Sequence, residues 1–178
     1  MSEKLIVRRV KNKKELEKTF RLRYKIYCAL PKEERPSDLK PEDYPDQMEK
    51  DFWDDYSVHF AAFLNREIVG TIRLIKGYEC SRGFLMESTF ALPKKLNRSK
   101  GLEASRMIVD PETRHQGIRH ELDKTAMAWS IKNGYLWWCL AVQDYLLPSC
   151  YRGRWNIQEI GGPARYHGTI VYGIIVYL

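Results

Sequence analysis

Apolar residues recur along this chain with two periods, and the switching between them predicts the order of elements. Residues 5–10, LIVRRV, are a short strand candidate. From about Lys13 to Ala29, Leu16, Phe20, Tyr24 and Tyr27 return every three or four positions, the spacing of one helix face, and Asn12 stands where a cap belongs. Arg21, Arg23 and Lys25 fall on other faces and read as solvated helix surface. Pro31, Pro36, Pro41 and Pro45 then sit among acids and lysines, which breaks regular structure and suggests a long loop beside a site. Residues 57–64 and 68–76 flank Asn65-Arg66-Glu67 as the arms of a hairpin. Residues 80–100 are loop-rich, with a small apolar cluster at Phe84, Leu85 and Phe90. Residues 102–109 form the next strand, 119–133 a helix stopped by Gly134, and 135–142, YLWWCLAV, the nearly unbroken apolar run of a strand covered on both faces. A short helix at 144–152 and strands at 158–160 and 169–178 complete the order. Adjacent strand pairs followed by a βαβ pattern predict an α/β fold, a central mixed twisted sheet with helices on both faces.

Composition adds limits. With 178 residues, 44% of them apolar and 12% aromatic, the chain suits one globular domain covering residues 1–178. It has no run of about 18 apolar residues for a membrane span and no apolar segment near its start resembling a secretory signal, so a cytoplasmic location is expected. Cys28, Cys80, Cys139 and Cys150 form no CxxC pair and no metal-ligand spacing, so reduced thiols and no metal are expected. The formal charge of +7 matters mainly through its placement. Lys94, Lys95, Arg98, Lys100, Arg106, Arg114, Arg119 and Lys124 lie close together in sequence with few acids between them.

The chemistry concentrates in residues 102–122, LEASRMIVDPETRHQGIRHEL. An apolar strand carries Glu103 and Arg106, a proline turn follows, and a basic glycine loop opens a helix. Glycine lets backbone approach a ligand, and successive amides at a helix N-terminus favour phosphate. A carboxylate-bearing strand that feeds a phosphate loop suggests group transfer from a phosphate-containing carrier. The plainer reading of Glu103 is a strand-edge carboxylate paired to Arg106 or a lysine. Upstream, QMEKDFWDDY is dense in acids and aromatics. Asp51, Asp54 and Asp55 there either cap a turn or are simply solvated, or one or two of them hold a cationic substrate group.

With these features in place, the sequence resembles the GNAT superfamily of acyl-transfer enzymes. Their pyrophosphate signature, Q/R-x-x-G-x-G/A, aligns with Arg114, Gly117 and Arg119, so an arginine replaces the final small residue. The chain is also similar, over about residues 5–178, to acyl-homoserine-lactone (autoinducer) synthases and N-acyl amino acid synthases. The ordered set is Arg23 with Tyr27, Asp51 with Asp54, Gly70 followed by Arg73, and Glu103 with Arg106. A patch of Tyr151, Arg152, Gly153 and Trp155 and a Gly-Gly-Pro turn at 161–163 follow. The tryptophan that adenosylmethionine-using synthases place after the first pair is missing from CALPKEERP.

The resemblance implies an N-acyltransferase that moves an acyl group from a thioester to a small amine, an amino acid or homoserine derived from S-adenosylmethionine. Glu103 would be the general base, since a protonated α-amine cannot attack. Arg23, Tyr27, Asp51, Asp54, Arg73 and Arg106 would bind or orient substrate, with Arg23 and Arg73 setting Asp51, Asp54 and Glu103 in a buried charge network. Arg114, Gln116, Gly117, Ile118 and Arg119 would hold the donor's phosphates. No tightly bound cofactor is expected. The donor would be acyl-CoA or an acyl carrier protein with its phosphopantetheine, and the carrier would dock on Lys94, Lys95, Arg98, Lys124, Arg152 and Arg154. An acetyl-CoA-dependent acetyltransferase and an inactive carrier- or nucleic-acid-binding module are the alternatives, with nucleic acid disfavoured. Leu102, Met107, Trp137, Cys139 and Ala141 are candidates for an acyl tunnel, or ordinary core. In a regular strand, residues 103 and 106 point to opposite faces, so a bulge near Ala104 is predicted.

Overall fold

The computed structural model describes residues 4–35, 37–114 and 116–178, leaving Pro36 of the proline loop outside; nothing is described of the side chains of Ser149 and Cys150. Among the described residues seven strands form one sheet: β1 (Leu5–Arg9), β2 (Ser57–Leu64), β3 (Glu67–Ile75), β4 (Gly101–Val109), β5 (Trp137–Gln143), β6 (Ile157–Tyr166) and β7 (Thr169–Tyr177). Their spatial order is β1-β2-β3-β4-β5-β7-β6. All neighbours are antiparallel except β4 and β5. That parallel pair needs a crossover, which α2 (Ile118–Lys132) supplies.

Helices cover both faces, as the strand pattern predicts. On one face, Leu22 of α1 (Lys13–Tyr24) and Ile26 just beyond it meet Ala61, Phe63, Ile68 and Ile108. On the other, Ile118, Leu122 and Ala126 of α2 meet Phe60, Ala62, Ile72 and Leu74. Burying Leu122 completely contributes about 1.5–3 kcal/mol. Gly70 permits the close approach of α2, because a Cβ there would stand 3.1 Å from both Ile118 and Leu122. Past α1, its face of the sheet is covered by Phe84, Met86 and Phe90 against Trp137, Cys139, Val171 and Ile175.

Three expectations change. The first helix is α-helical only to Tyr24, and Lys25–Ala29 continues as a π-helical turn. Its buried face is Thr19, Phe20, Leu22 and Arg23, so Arg23 is core and not surface. The Gly161–Pro163 segment is no turn. It lies inside β6, where the register with β7 shifts on both sides of Gly161. β6 is the sheet edge, where a proline removes no ladder bond that a neighbour needs.

No helix among the described residues is long and apolar enough to cross a membrane. Cys28, Cys80 and Cys139 are free, buried thiols.

Candidate active site

The strand β4 is irregular where the chemistry lies, though the irregularity falls beyond Ala104. Thr71 pairs with Ile108 and Arg73 with Ser105, so two steps on β3 match three on β4. Arg106 absorbs the extra residue with φ of 52°. A non-glycine residue in that region costs about 1–2 kcal/mol. The bulge brings Arg106 to the face where Arg73 meets Ser105, and its guanidinium finds carboxylates there.

Those carboxylates come from one short segment, Glu49 to Asp54. Asp51 caps the 3-10 turn Phe52–Tyr56, accepting from Trp53 N–H at 2.9 Å, while Asp54 accepts the Asp51 N–H at 2.7 Å. The turn thus aims Asp51 and Asp54 at the sheet, and three arginines from three elements meet them. Arg23 of α1 grips Asp54 at 2.7 and 3.1 Å and also bonds Glu49. Arg73 of β3 donates to Asp51 at 2.6 Å, lies 3.0 Å from Asp54, and holds Ser105 Oγ at 3.0 Å. Arg106 of β4 donates to Glu49 and to Asp51, both at 3.0 Å. The result is a closed ring of alternating charge: Arg23, Asp54, Arg73, Asp51, Arg106, Glu49 and back to Arg23. Arg23, Glu49 and Arg73 have no solvent exposure.

Burial alone would neutralise these acids, but the guanidinium charges outweigh it. Glu49 is held down at about 2 against its desolvation by Arg106 and Arg23, and Asp54 is likewise depressed by Arg73 and Arg23. His59, packed edge-on to Phe20, goes the other way for a base: burial pushes it down to about 4. Arg73 Nη2 is buried without a hydrogen-bond partner among the described residues.

Glu103 stands apart from the ring. It is 2% exposed, and its Oε2 accepts from the Met86 N–H at 3.1 Å. The expectation that arginines would hold it directly gives way to a backbone contact from the turn Leu85–Ser88, and the alternative pairing with Arg106 also fails. Desolvation pushes its carboxyl up to about 7, with the Met86 amide and the nearby Arg73 charge acting against the rise. Tyr27 closes over Arg106 at 5.6 Å. Tyr44 and Tyr166 feel the same charges: burial raises both phenols, and Glu49 acts next on Tyr44, Glu103 on Tyr166.

Beside Glu103 the sheet parts. β4 and β5 pair only from Gly101 to Glu103 against Trp137 to Cys139, although β4 runs on to Val109 and β5 to Gln143. Beyond the end of β4, Asp110 caps a proline turn and is tied by Lys25 Nζ at 2.8 Å. Gly117, at φ of 72°, then opens α2 with no side-chain cap. The first amides of the helix lack intrahelical acceptors, and Arg114, Gln116 and Gly117 are exposed. Ile118 contributes only its backbone to this loop, since its side chain is core. Arg119 turns back from the loop: it donates to Tyr151 Oη at 3.1 Å, covers that ring and lies 3.8 Å from Asp123.

The remaining basic residues do not gather on one face. Lys94, Lys95 and Arg98 precede β4, at the end where α2 finishes, and Leu136 N–H bonds Lys100 there. Leu92 and Leu96, either side of Lys94 and Lys95, pack on the face opposite α2, whereas Arg152 and Arg154 lie between β5 and β6, and Arg152 reaches Glu159, whose cross-strand partner Ile174 packs on the α2 side. Lys124 projects from the outer side of α2. Arg98 is bonded to Glu87 and Arg152 to Glu159. The five tunnel candidates also divide between faces. Leu102 and Met107 pack with the α2 side, and Trp137, Cys139 and Ala141 with the other.

Glu49 is the member of the ring that sequence reasoning missed. The acid-rich segment was the available signal, but nothing in it separates Glu49 from its solvated neighbours.

The sequence model of a family described as an acetyltransferase (GNAT) domain matches residues 22–122, more than half of the chain. No curated protein sequence matches. Among solved structures, the chain is similar to the CoA-dependent acyl-homoserine lactone synthase BjaI, solved with SAM and isopentyl-CoA. The TM-score is 0.74 at 20% identity, over 99% of this chain and 83% of that one. The AHL synthase LasI superposes with a TM-score of 0.78 at 14% identity, over 99% and 91%. FeeM, an N-acyl amino acid synthase from uncultured soil microbes, gives 0.70 at 15%, over 99% and 91%. At these identities the likeness is one of fold.

Proposed function

Because the chain belongs to the acetyltransferase (GNAT) domain family, we propose that it is an N-acyltransferase, moving an acyl group from a thioester to a small primary amine. The observation that carries this reading is Glu103. It is a buried carboxyl outside every ion pair described, its affinity for a proton raised to about 7, beside the point where β4 and β5 part. A base is most useful when its pKa lies near the working pH.

In the proposed reaction, Glu103 accepts a proton from the substrate ammonium, directly or through a water. The freed amine attacks the thioester carbonyl carbon. The tetrahedral intermediate then collapses, the carbon–sulfur bond breaks, and the amide forms as the thiolate leaves and takes up a proton. Backbone N–H groups after Met107 are candidates to meet the oxyanion. The amine would be an amino acid or homoserine derived from S-adenosylmethionine, and Asp51, the most exposed acid of the ring at 20%, would attract its positive charge. Tyr27 and Arg106 would border the same space. Arg23, Arg73 and Asp54 act in this reading as supports that fix Asp51 and Arg106.

The donor's phosphopantetheine arm would lie in the gap between β4 and β5, with its phosphates at Arg114, Gln116, Gly117 and the amides of Ile118 and Arg119. The donor would be acyl-CoA or an acyl carrier protein. BjaI, of similar fold, is described as CoA-dependent. If a carrier is used, Arg152, which bonds Glu159 on the α2 face of the sheet, and its neighbour Arg154 would meet it together with Lys124 on the outer side of α2. Lys94, Lys95 and Arg98 would not share that contact.

Mass spectrometry of lipid extracts from cells expressing the protein tests the reading, with Glu103→Gln as control. A long-chain N-acyl amine made only by the unaltered chain is the expected result. Acetyl transfer from acetyl-CoA without any long-chain product would replace it with the acetyltransferase alternative.

A further inference from the structure

The helix α1 does not cover its face of the sheet out to the edge. Between its first turns and β1 lies a cavity of about 470 Å³ whose lining includes Lys4, Ile6, Arg8, Lys14, Phe63 and Arg66. It is remote from Glu103, since β1 is the outermost strand and β2 and β3 separate it from β4. Its floor is apolar. Ile6 and Phe63 are cross-strand partners and so share a face, and Ile6 is left 43% exposed. Arg8 lies over the Phe63 ring at 4.2 Å, locked there by two 2.9 Å bonds to Glu15.

The rim is cationic and unbalanced. Of the lining groups, Arg8 is neutralised by Glu15, and Lys18 is met by Glu67 at 3.4 Å. Lys4, Lys14 and Arg66 have no carboxylate partner among the described residues. The positive end of α1, capped by Asn12, adds to the field. Among the described residues the one lining carboxylate, Glu15, is committed to Arg8 and to the Lys11 N–H, so these residues present charge and apolar surface but no free carboxylate acceptor. An aromatic ligand cannot stack on the side of Phe63 that Arg8 already covers. What fits is an aliphatic chain ending in a negative group.

We propose that this groove binds a single-chain anionic amphiphile of the fatty carboxylate class. Its chain lies along Ile6, Phe63 and the methylene stems of the surrounding lysines and Arg8, and its head sits among Lys4, Lys14 and Arg66. This site is separate from the acyl-transfer reading and does not depend on it.

A diazirine-bearing lauric acid, photolysed with the full chain and mapped by peptide mass spectrometry, tests the proposal. Label is expected on peptides from residues 4–18 and 57–66. Laurate should displace it and dodecanol should not. Ile6→Glu, and separately the pair Lys14→Glu with Arg66→Glu, should weaken labelling by about tenfold or more, while Leu136→Glu at a distant exposed site leaves it unchanged. Circular dichroism confirms that each variant is folded. Label confined to peptides around Glu103, equal displacement by dodecanol, or labelling indifferent to both groove variants would overturn the proposal.

Discussion

Replacing Glu49 by leucine opens the charged ring at a point that sequence alone did not single out. The wild-type ring balances three guanidiniums against three carboxylates, all largely shielded from water. Without Glu49, Arg23 retains only Asp54, Arg106 retains only Asp51, and one positive charge is left uncompensated. Breaking a buried pair in this way costs about 3–5 kcal/mol. The protonation of Glu49 gives a similar figure. Its carboxyl falls from 4.5 to about 2 on folding, and at about 1.4 kcal/mol per unit that is on the order of 3 kcal/mol. Since the depressed group is an acid, this stability is present above pH 4.5 and is lost as pH falls towards 2. Urea unfolding followed by circular dichroism should show the midpoint of Glu49→Leu lowered by about 1–3 M with an unchanged slope. The gap from wild type should close between about pH 4.5 and 2. The double variant Glu49→Leu/Arg106→Leu leaves a balanced chain of two cations and two anions, so it should be more stable than Glu49→Leu alone. A single variant within about 1 kcal/mol of wild type, or a double variant that loses the full sum, would refute the claim that the ring acts as one closed unit.

Other outcomes follow from neighbouring features. Glu103 is raised from 4.5 to about 7, so its contribution is intact below pH 4.5 and lost as pH rises through 7. Glu103→Gln should therefore melt higher than wild type at pH 8, by up to about 3 kcal/mol in stability, with the difference vanishing near pH 4. Gly101→Ala would place a Cβ 2.1 Å from the Trp137 ring. It should destabilise by about 1–3 kcal/mol in chemical unfolding, because the indole is itself held through its N–H to Asn97. Gly117→Ala meets nothing within 4 Å but keeps φ of 72°. It should cost only about 1–2 kcal/mol, and a much larger loss of stability would contradict the open surroundings seen here.

The sheet and its two covering helices were legible because each strand or helix carries its own period. β5 announces itself as a continuous apolar run, and α2 is closed off by Gly134, two residues past its last turn with φ of 77°. The ring was legible only in fragments. Arg23 looked like helix surface because a hydrophobic period counts a cation as polar. Its burial depends on Glu49 and Asp54, 26 and 31 residues away. The bulge was foreseeable from the three-residue gap between Glu103 and Arg106, but not its centring on Arg106 and away from Ala104. The register is fixed by Arg73 meeting Ser105 across two strands, a pairing without local signature. Grouping basic residues by sequence failed for Lys94, Lys95 and Arg98, because the segment that carries them packs Leu92 and Leu96 on the face opposite α2.

All three anions of the ring belong to a stretch of six residues, whereas its cations are spread over α1, β3 and β4. That stretch behaves as a key cut to one alignment. Slide it by a single residue and Lys50, now exposed and facing Asp46, would come to stand between two guanidiniums. The proline loop before it can therefore lengthen or shorten among descendants of this sequence, while the spacing from Glu49 through Asp54 cannot drift without setting like charges together in the interior.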